Sequence, residues 1–152
     1  KVLQYLQSAK ARDEIGRVDY LLINCGLHDI KTDPVTGVKQ VSKEQYEVNL
    51  QNIIKKAREF SDNVQWVNST PVDEKIHNKI RQDFYRFSKD CIEYNETVDR
   101  VMKANKVPVI DLYRFTLNCG PNLYIDHVHF TEILRQKQAQ FIADYLIQLI
   151  KE

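Results

Sequence analysis

Short apolar runs alternate along this chain with longer stretches that carry helical spacing. Residues 18–24 (VDYLLIN) form a brief apolar run that closes on a polar residue, with Gly26 soon after. That is the pattern of a buried parallel strand. Ser42 then opens a helix as its N-cap, with Gln45 at the capping-box position. Tyr46, Leu50, Ile53, Ile54, Ala57 and Phe60 recur at helical spacing and make one apolar face. Residues 64–68 (VQWVN) predict a second strand, which Ser69-Thr70-Pro71 ends because Pro71 has no N–H for a ladder.

A second long helix is expected over about residues 77–105. Its stripe is Ile80, Phe84, Phe87, Cys91, Tyr94, Val98, Val101 and Met102, and His77 lies at the surface near its start. Residues 107–112 (VPVIDL) predict a third strand. The stretch Asn118-Cys119-Gly120-Pro121-Asn122 is expected to be irregular. Thr131 caps a last helix with Leu134, Phe141, Ile142, Tyr145, Leu146, Leu149 and Ile150 on its buried side. Helices alternating with strands in this way mean βαβ units, right-handed crossovers and a parallel sheet. Ligands of such sheets bind beyond the carboxyl ends of the strands. The residues to inspect are therefore 24–29, 68–71 and those from Asp111 onward.

Composition narrows the picture. The 152 residues fit one domain, and an apolar share of 43% supports a real core. A net charge of +1 gives no broad basic field, which argues against a nucleic-acid partner. No apolar run approaches the roughly 20 residues of a membrane-spanning helix. Cys25, Cys91 and Cys119 are an odd set without metal-site spacing, and they are expected as packed free thiols. They lean towards a reducing, cytoplasmic compartment. The first residues, KVLQYL, have the spacing of a helix interior and not of a signal peptide.

Two segments carry candidate chemistry. In Asp126-His127-Val128-His129, Asp126 and His129 are three apart before a capped helix. A tight turn there lets the carboxylate face the imidazole and hold it as a general base. The plainer alternative is a helix-start turn with two solvated histidines. In Gly26-Leu27-His28-Asp29, the glycine permits a sharp turn or a close approach, and His28 presents a polar tip at the sheet edge. The plainer alternative is an ordinary βα turn with Asp29 favouring a helix start. The histidines lack the spacing of a zinc motif. Cys25, beside the site, has no mark of an activated thiol.

Together these pieces resemble the SGNH (GDSL-like) hydrolases. INCGLHDIK is similar to their third block, usually Gly-x-Asn-Asp, and IDHVHFT to their fifth, Asp-x-x-His. VNSTPV resembles the strand end between them, and YNETVDRVMKANKVPVIDLY the helix–strand pair before the fifth block. The resemblance covers nearly the whole chain in the right order. It implies a three-layer α/β/α sandwich of flavodoxin-like type and a serine esterase acting on an acyl or acetyl ester of a sugar or lipid. His129 would be the base and Asp126 its partner. The Gly26 N–H and His28 would hold the oxyanion, with His28 where the family usually has Asn. No metal or cofactor is implied.

The family's Gly-Asp-Ser block and following glycine have no counterpart here, and Ser8, Ser42, Ser61, Ser69 and Ser88 lack that context. The nucleophile is therefore expected on an upstream segment, with one or two strands, outside this chain. A catalytically silent SGNH-like module for a carbohydrate or acyl group, or a plain flavodoxin-like binding domain, are the competing readings.

Overall fold

The computed structural model describes residues 1–120 and 123–151. The chain begins with two short helices, α1 (Val2–Leu6) and α2 (Ala9–Ile15). Strand β1 (Tyr20–Ile23) leads through a long connection to α3 (Lys43–Ala57), and β2 (Asn63–Val67) follows. Helices α4 (Glu74–Ile80) and α5 (Ser88–Ala104) precede β3 (Val109–Ile110), then α6 (Leu112–Asn118) and α7 (Glu132–Lys151) close the chain. The strands are parallel in the order β1-β2-β3, so each lies beside its neighbour in sequence.

Alternation along the strands assigns the two faces. Leu21, Ile23, Val64, Trp66 and Val109 point into a core shared with α3 and α5, while Leu22, Val67 and Ile110 point to α6 and α7. Helices on both faces of a parallel sheet make a three-layer α/β/α sandwich, as the sequence pattern predicts. The first face is the drier one. Tyr46, Leu50, Ile54, Val98 and Met102 are almost fully buried there, each such side chain stabilising by roughly 1.5–3 kcal/mol. The rings of Tyr46 and Tyr94 meet at 4.9 Å. The second face is looser: of the expected stripe on α7, Leu134 is buried, Phe141, Ile142, Tyr145, Leu146 and Leu149 are half-buried, and Ile150 is exposed. Buried Gln65 is the polar exception in the sheet, and its Oε1 accepts the Tyr145 hydroxyl at 3.1 Å.

Several local expectations need correction. Ser42 caps α3 through the Gln45 N–H at 3.2 Å, but the Gln45 side chain turns to Asn49, so the capping box is only half made. The single helix expected over residues 77–105 is two helices. Residues 81–87 leave the helical path because Tyr85 exchanges two backbone bonds with Thr32 and the Arg81 guanidinium folds onto Asp83. His77 is not at the surface but wholly buried. β3 has two residues: Pro108 offers only its carbonyl, to Trp66 N–H, and Asp111 already caps α6 through the Arg114 N–H. Asn118 ends α6 and Cys119 is its C-cap, so the irregular stretch starts later than expected. Pro121 and Asn122 lie outside the described residues. No helix starts at Asp29; residues 27–30 form turns. Thr131 caps α7 weakly, its Oγ1 accepting the Leu134 N–H at 3.4 Å.

Candidate active site

The turn after β1 is built around Gly26. Its carbonyl accepts the N–H groups of Asp29 and Ile30, at 2.8 and 3.2 Å, which curls residues 26–30 back over the sheet end. The preceding Cys25 carbonyl accepts the hydroxyls of Tyr46 at 2.8 Å and Ser69 at 3.3 Å. Gly26 is buried against these same two side chains, and its φ of 149° is one that residues with a Cβ rarely adopt. Ser69 is itself clamped, since Asn95 accepts its N–H at 3.0 Å and donates to its carbonyl at 2.9 Å. The strand-end segment thus supports the glycine turn.

His28 projects from this turn as an exposed side chain. Partial desolvation, then the nearby Lys31, Arg86 and Lys1 cations, push its pKa down, so at neutral pH it is an uncharged ring with one N–H to donate. Gly26, His28, Val2, Leu27, Tyr46 and Ile53 are among the residues lining a cavity of about 580 Å³. Cys25 also lines it, but burial and then Asp29 push its thiol up to about 12, which leaves almost no thiolate at neutral pH.

The second constellation lies before α7. Tyr124 and Phe130 bridge across the turn, and the Ile125 N–H donates to the His129 carbonyl at 2.9 Å. Inside it, Asp126 Oδ1 accepts the N–H groups of Val128 and His129, both at 2.7 Å, and Oδ2 lies 2.6 Å from His129 Nδ1. Those two N–H groups and the ring hold the Asp126 carboxyl well below the usual carboxylate range. An ionised Asp126 only accepts, so Nδ1 carries the proton in this bond and Nε2 is left as the basic nitrogen. The His129 side chain is 72% exposed, so Nε2 is open to an incoming group.

The cavity is lined from the Gly26–His28 side, and His129 is not among its lining residues. Asp126 borders a separate hollow of about 560 Å³ with Asp73, Ile76 and Tyr124. What joins the two constellations is a stack of side chains that the sequence pattern missed. Arg86 Nε donates to the Leu27 carbonyl at 2.7 Å, and its guanidinium lies 5.0 Å from the Phe84 ring centre. Phe84 meets His77 at 5.3 Å, and His77 meets His127 edge-on at 4.7 Å. His77 therefore serves as packing, and His127 contacts it instead of joining Asp126. The only sequence sign of this stack is an Arg inside an apolar stripe, which a surface helix position explains equally well. Among the described residues, no group of three or more His, Cys, Asp or Glu is arranged to hold a metal. No described helix is long and apolar enough to cross a membrane.

No family model matches this sequence, and no curated protein matches it. Solved structures do match it, and they show the fold to be that of the SGNH (GDSL-like) hydrolases. A lipase/acylhydrolase from Enterococcus faecalis aligns at 18% identity and TM-score 0.65, over 93% of this chain and 67% of that one. A member of the lipolytic G-D-S-L family from Veillonella parvula aligns at 17% identity and TM-score 0.64, over 93% and 70%. A catalytic mutant of an acetylxylan esterase from Geobacillus stearothermophilus aligns at 16% identity and TM-score 0.65, over 90% and 65%. The chain thus spans about two thirds of the length of these proteins.

Proposed function

We propose that this chain is the C-terminal portion of the single domain of an SGNH-type ester hydrolase that cleaves an acyl or acetyl ester of a small molecule or carbohydrate, and that the nucleophilic serine comes from a segment outside these 152 residues. The observation that carries the reading is the Asp126–His129 pair, with the carboxylate pinned by two backbone N–H groups and the ring held in one tautomer. In this mechanism His129 Nε2 takes the proton of the serine hydroxyl as its oxygen attacks the ester carbonyl. The Asp126 carboxylate balances the imidazolium that forms. The Gly26 N–H and the neutral His28 ring donate to the tetrahedral oxyanion. His129 then returns the proton to the leaving alcohol, and water repeats the sequence to free the acid. No cofactor enters these steps.

The serines of the chain support an external nucleophile. Ser8 and Ser42 are helix caps, Ser61 donates to the Asp19 carbonyl, and Ser69 donates to the Cys25 carbonyl while buried. Ser88 opens α5 with its N–H on Glu74. The matched structures support the reaction class, since they include a lipase/acylhydrolase and an acetylxylan esterase.

The test compares the intact parent protein with the 152-residue chain, using p-nitrophenyl acetate hydrolysis and a fluorophosphonate label located by mass spectrometry. The intact protein is expected to hydrolyse the ester and take one label on a serine outside this chain, and the chain alone to do neither. A label on one of the five serines here would overturn the external nucleophile. An intact protein that binds acylated sugars but never hydrolyses them would favour the silent binding module.

A further inference from the structure

Arg86 is a buried cation without a counter-charge. It is 6% exposed, and among the described residues no carboxylate lies within ion-pair distance of it. The nearby Asp83 is taken up by Arg81, through bonds of 2.8 and 2.5 Å. A desolvated guanidinium without a carboxylate is costly, and an apolar residue would serve packing at least as well. What the cation does instead is local. Its Nε donates to the Leu27 carbonyl, its own backbone N–H is fixed by Asn78 Oδ1 at 2.9 Å, and its plane is braced by Phe84.

We propose that Arg86 is the positioning residue of the oxyanion turn, its guanidinium fixing the Leu27 carbonyl and with it the aim of the His28 side chain. This rests on the function proposed above. The Leu27 carbonyl belongs to the peptide that leads into His28, so a rotation of that peptide would swing His28 away from the Gly26 N–H, which the Cys25 carbonyl bonds of Tyr46 and Ser69 hold in place. Phe84, His77 and His127 carry the same brace to the turn that holds His129, so the two loops keep a fixed relation although they line different hollows. The charge has a second effect. Arg86 from the 81–87 segment, Lys31 from the turn itself and Lys1 from the start of α1 all oppose protonation of His28, whose neighbour Asp29 has its carboxyl raised by burial.

The test uses the intact protein and the variants Arg86→Gln and Arg86→Lys. Arg86→Gln is expected to lower kcat on p-nitrophenyl acetate about 10–100-fold with KM within about threefold, the signature of misplaced transition-state donors. By NMR, the amide of His28 should exchange faster and the titration midpoint of its ring should rise. Arg86→Lys keeps the charge but not the planar fork, so kcat should still fall while the His28 midpoint stays near that of the unaltered protein. Arg86→Lys also serves if Arg86→Gln does not fold. A change in KM alone, or an unchanged kcat in both variants, overturns the proposal. If the unaltered protein has no esterase activity, the esterase reading fails separately. The NMR arm then decides the hold of Arg86 on the turn, and an unmoved His28 amide and midpoint in Arg86→Gln would sink it.

Discussion

Gly26 stands so close to Ser69 that a Cβ on it would lie 2.4 Å from the Ser69 Oγ, and 3.2 Å from the Tyr46 hydroxyl. Neither oxygen is free to withdraw, because both donate to the Cys25 carbonyl. Gly26→Ala should therefore destabilise the fold by about 2–4 kcal/mol, from overpacking together with an unfavourable φ. Ser69→Ala in the same chain should recover part of that loss, so the two changes should be non-additive in urea unfolding. A Gly26→Ala chain within about 0.5 kcal/mol of the original would show that the turn yields easily.

The Asp126–His129 pair yields a different kind of prediction, because it is exposed and carries little of the core. His129→Ala in the intact enzyme should abolish ester hydrolysis while folding stability changes by no more than about 0.5 kcal/mol. Asp126→Asn should lower kcat by up to about 10⁴-fold, since an amide at that position lets the ring settle in the wrong tautomer. The Asp126 carboxyl is depressed, so its contribution is present above the ordinary carboxylate pKa and is lost only as pH falls through its lower folded value. Activity measured from pH 8 downward should therefore show no titration of Asp126 near pH 4. Undiminished turnover in His129→Ala would remove this pair from the mechanism.

At His28 the chemistry asks for a donor, not for a histidine. His28→Asn should keep much of the activity, whereas His28→Ala should cost about 10²–10³-fold in kcat, the scale for losing one oxyanion donor. Steady-state kinetics on one ester decides it, and equal rates in all three proteins would dismiss the role.

His77 predicts an acid-sensitive fold. Burial, followed by Arg86, His127 and Arg81, pushes its pKa down to about 4, against about 6.5 when unfolded. Below pH 6.5 the unfolded chain binds a proton that the native chain refuses. Stability is thus whole above that value and declines as pH falls towards about 4, by at most about 3 kcal/mol. Among the described residues neither ring nitrogen makes a hydrogen bond of good geometry, the Phe84 backbone giving only a weak interaction, so His77→Leu loses little there. Its unfolding midpoint should change less between pH 7 and pH 5 than that of the unaltered chain. Parallel pH curves for the two would refute the assignment.

Much of this architecture was legible in the apolar pattern. All three strands fall in or across the expected runs, and Ser42 starts α3 where its spacing predicted, because burial on a parallel sheet leaves a continuous signature. The break at residues 81–87 was not legible. Phe84 and Phe87 keep helical spacing with Cys91, and what unwinds them is a pairing between Tyr85 and Thr32, distant in sequence. The adjacency of Asp126 and His129 followed from their spacing. The path from Leu27 through Arg86, Phe84 and His77 to His127 did not, because it exists only once two loops and a helix end have met.

Gln65 and Tyr145 have a consequence beyond their own bond. The apolar contacts under α7, the stacked Phe115 and Phe141 rings among them, are partly open and unspecific about their partners. Sliding the helix by one turn would trade some of them for others. It would, however, leave a buried amide in the sheet without its phenol, a loss of about 1–3 kcal/mol. The pair acts as a key that admits α7 in one axial setting. Because that helix follows directly on the turn holding His129, this bond, together with the buried bond from Gln138 to Thr116, helps set where the imidazole stands.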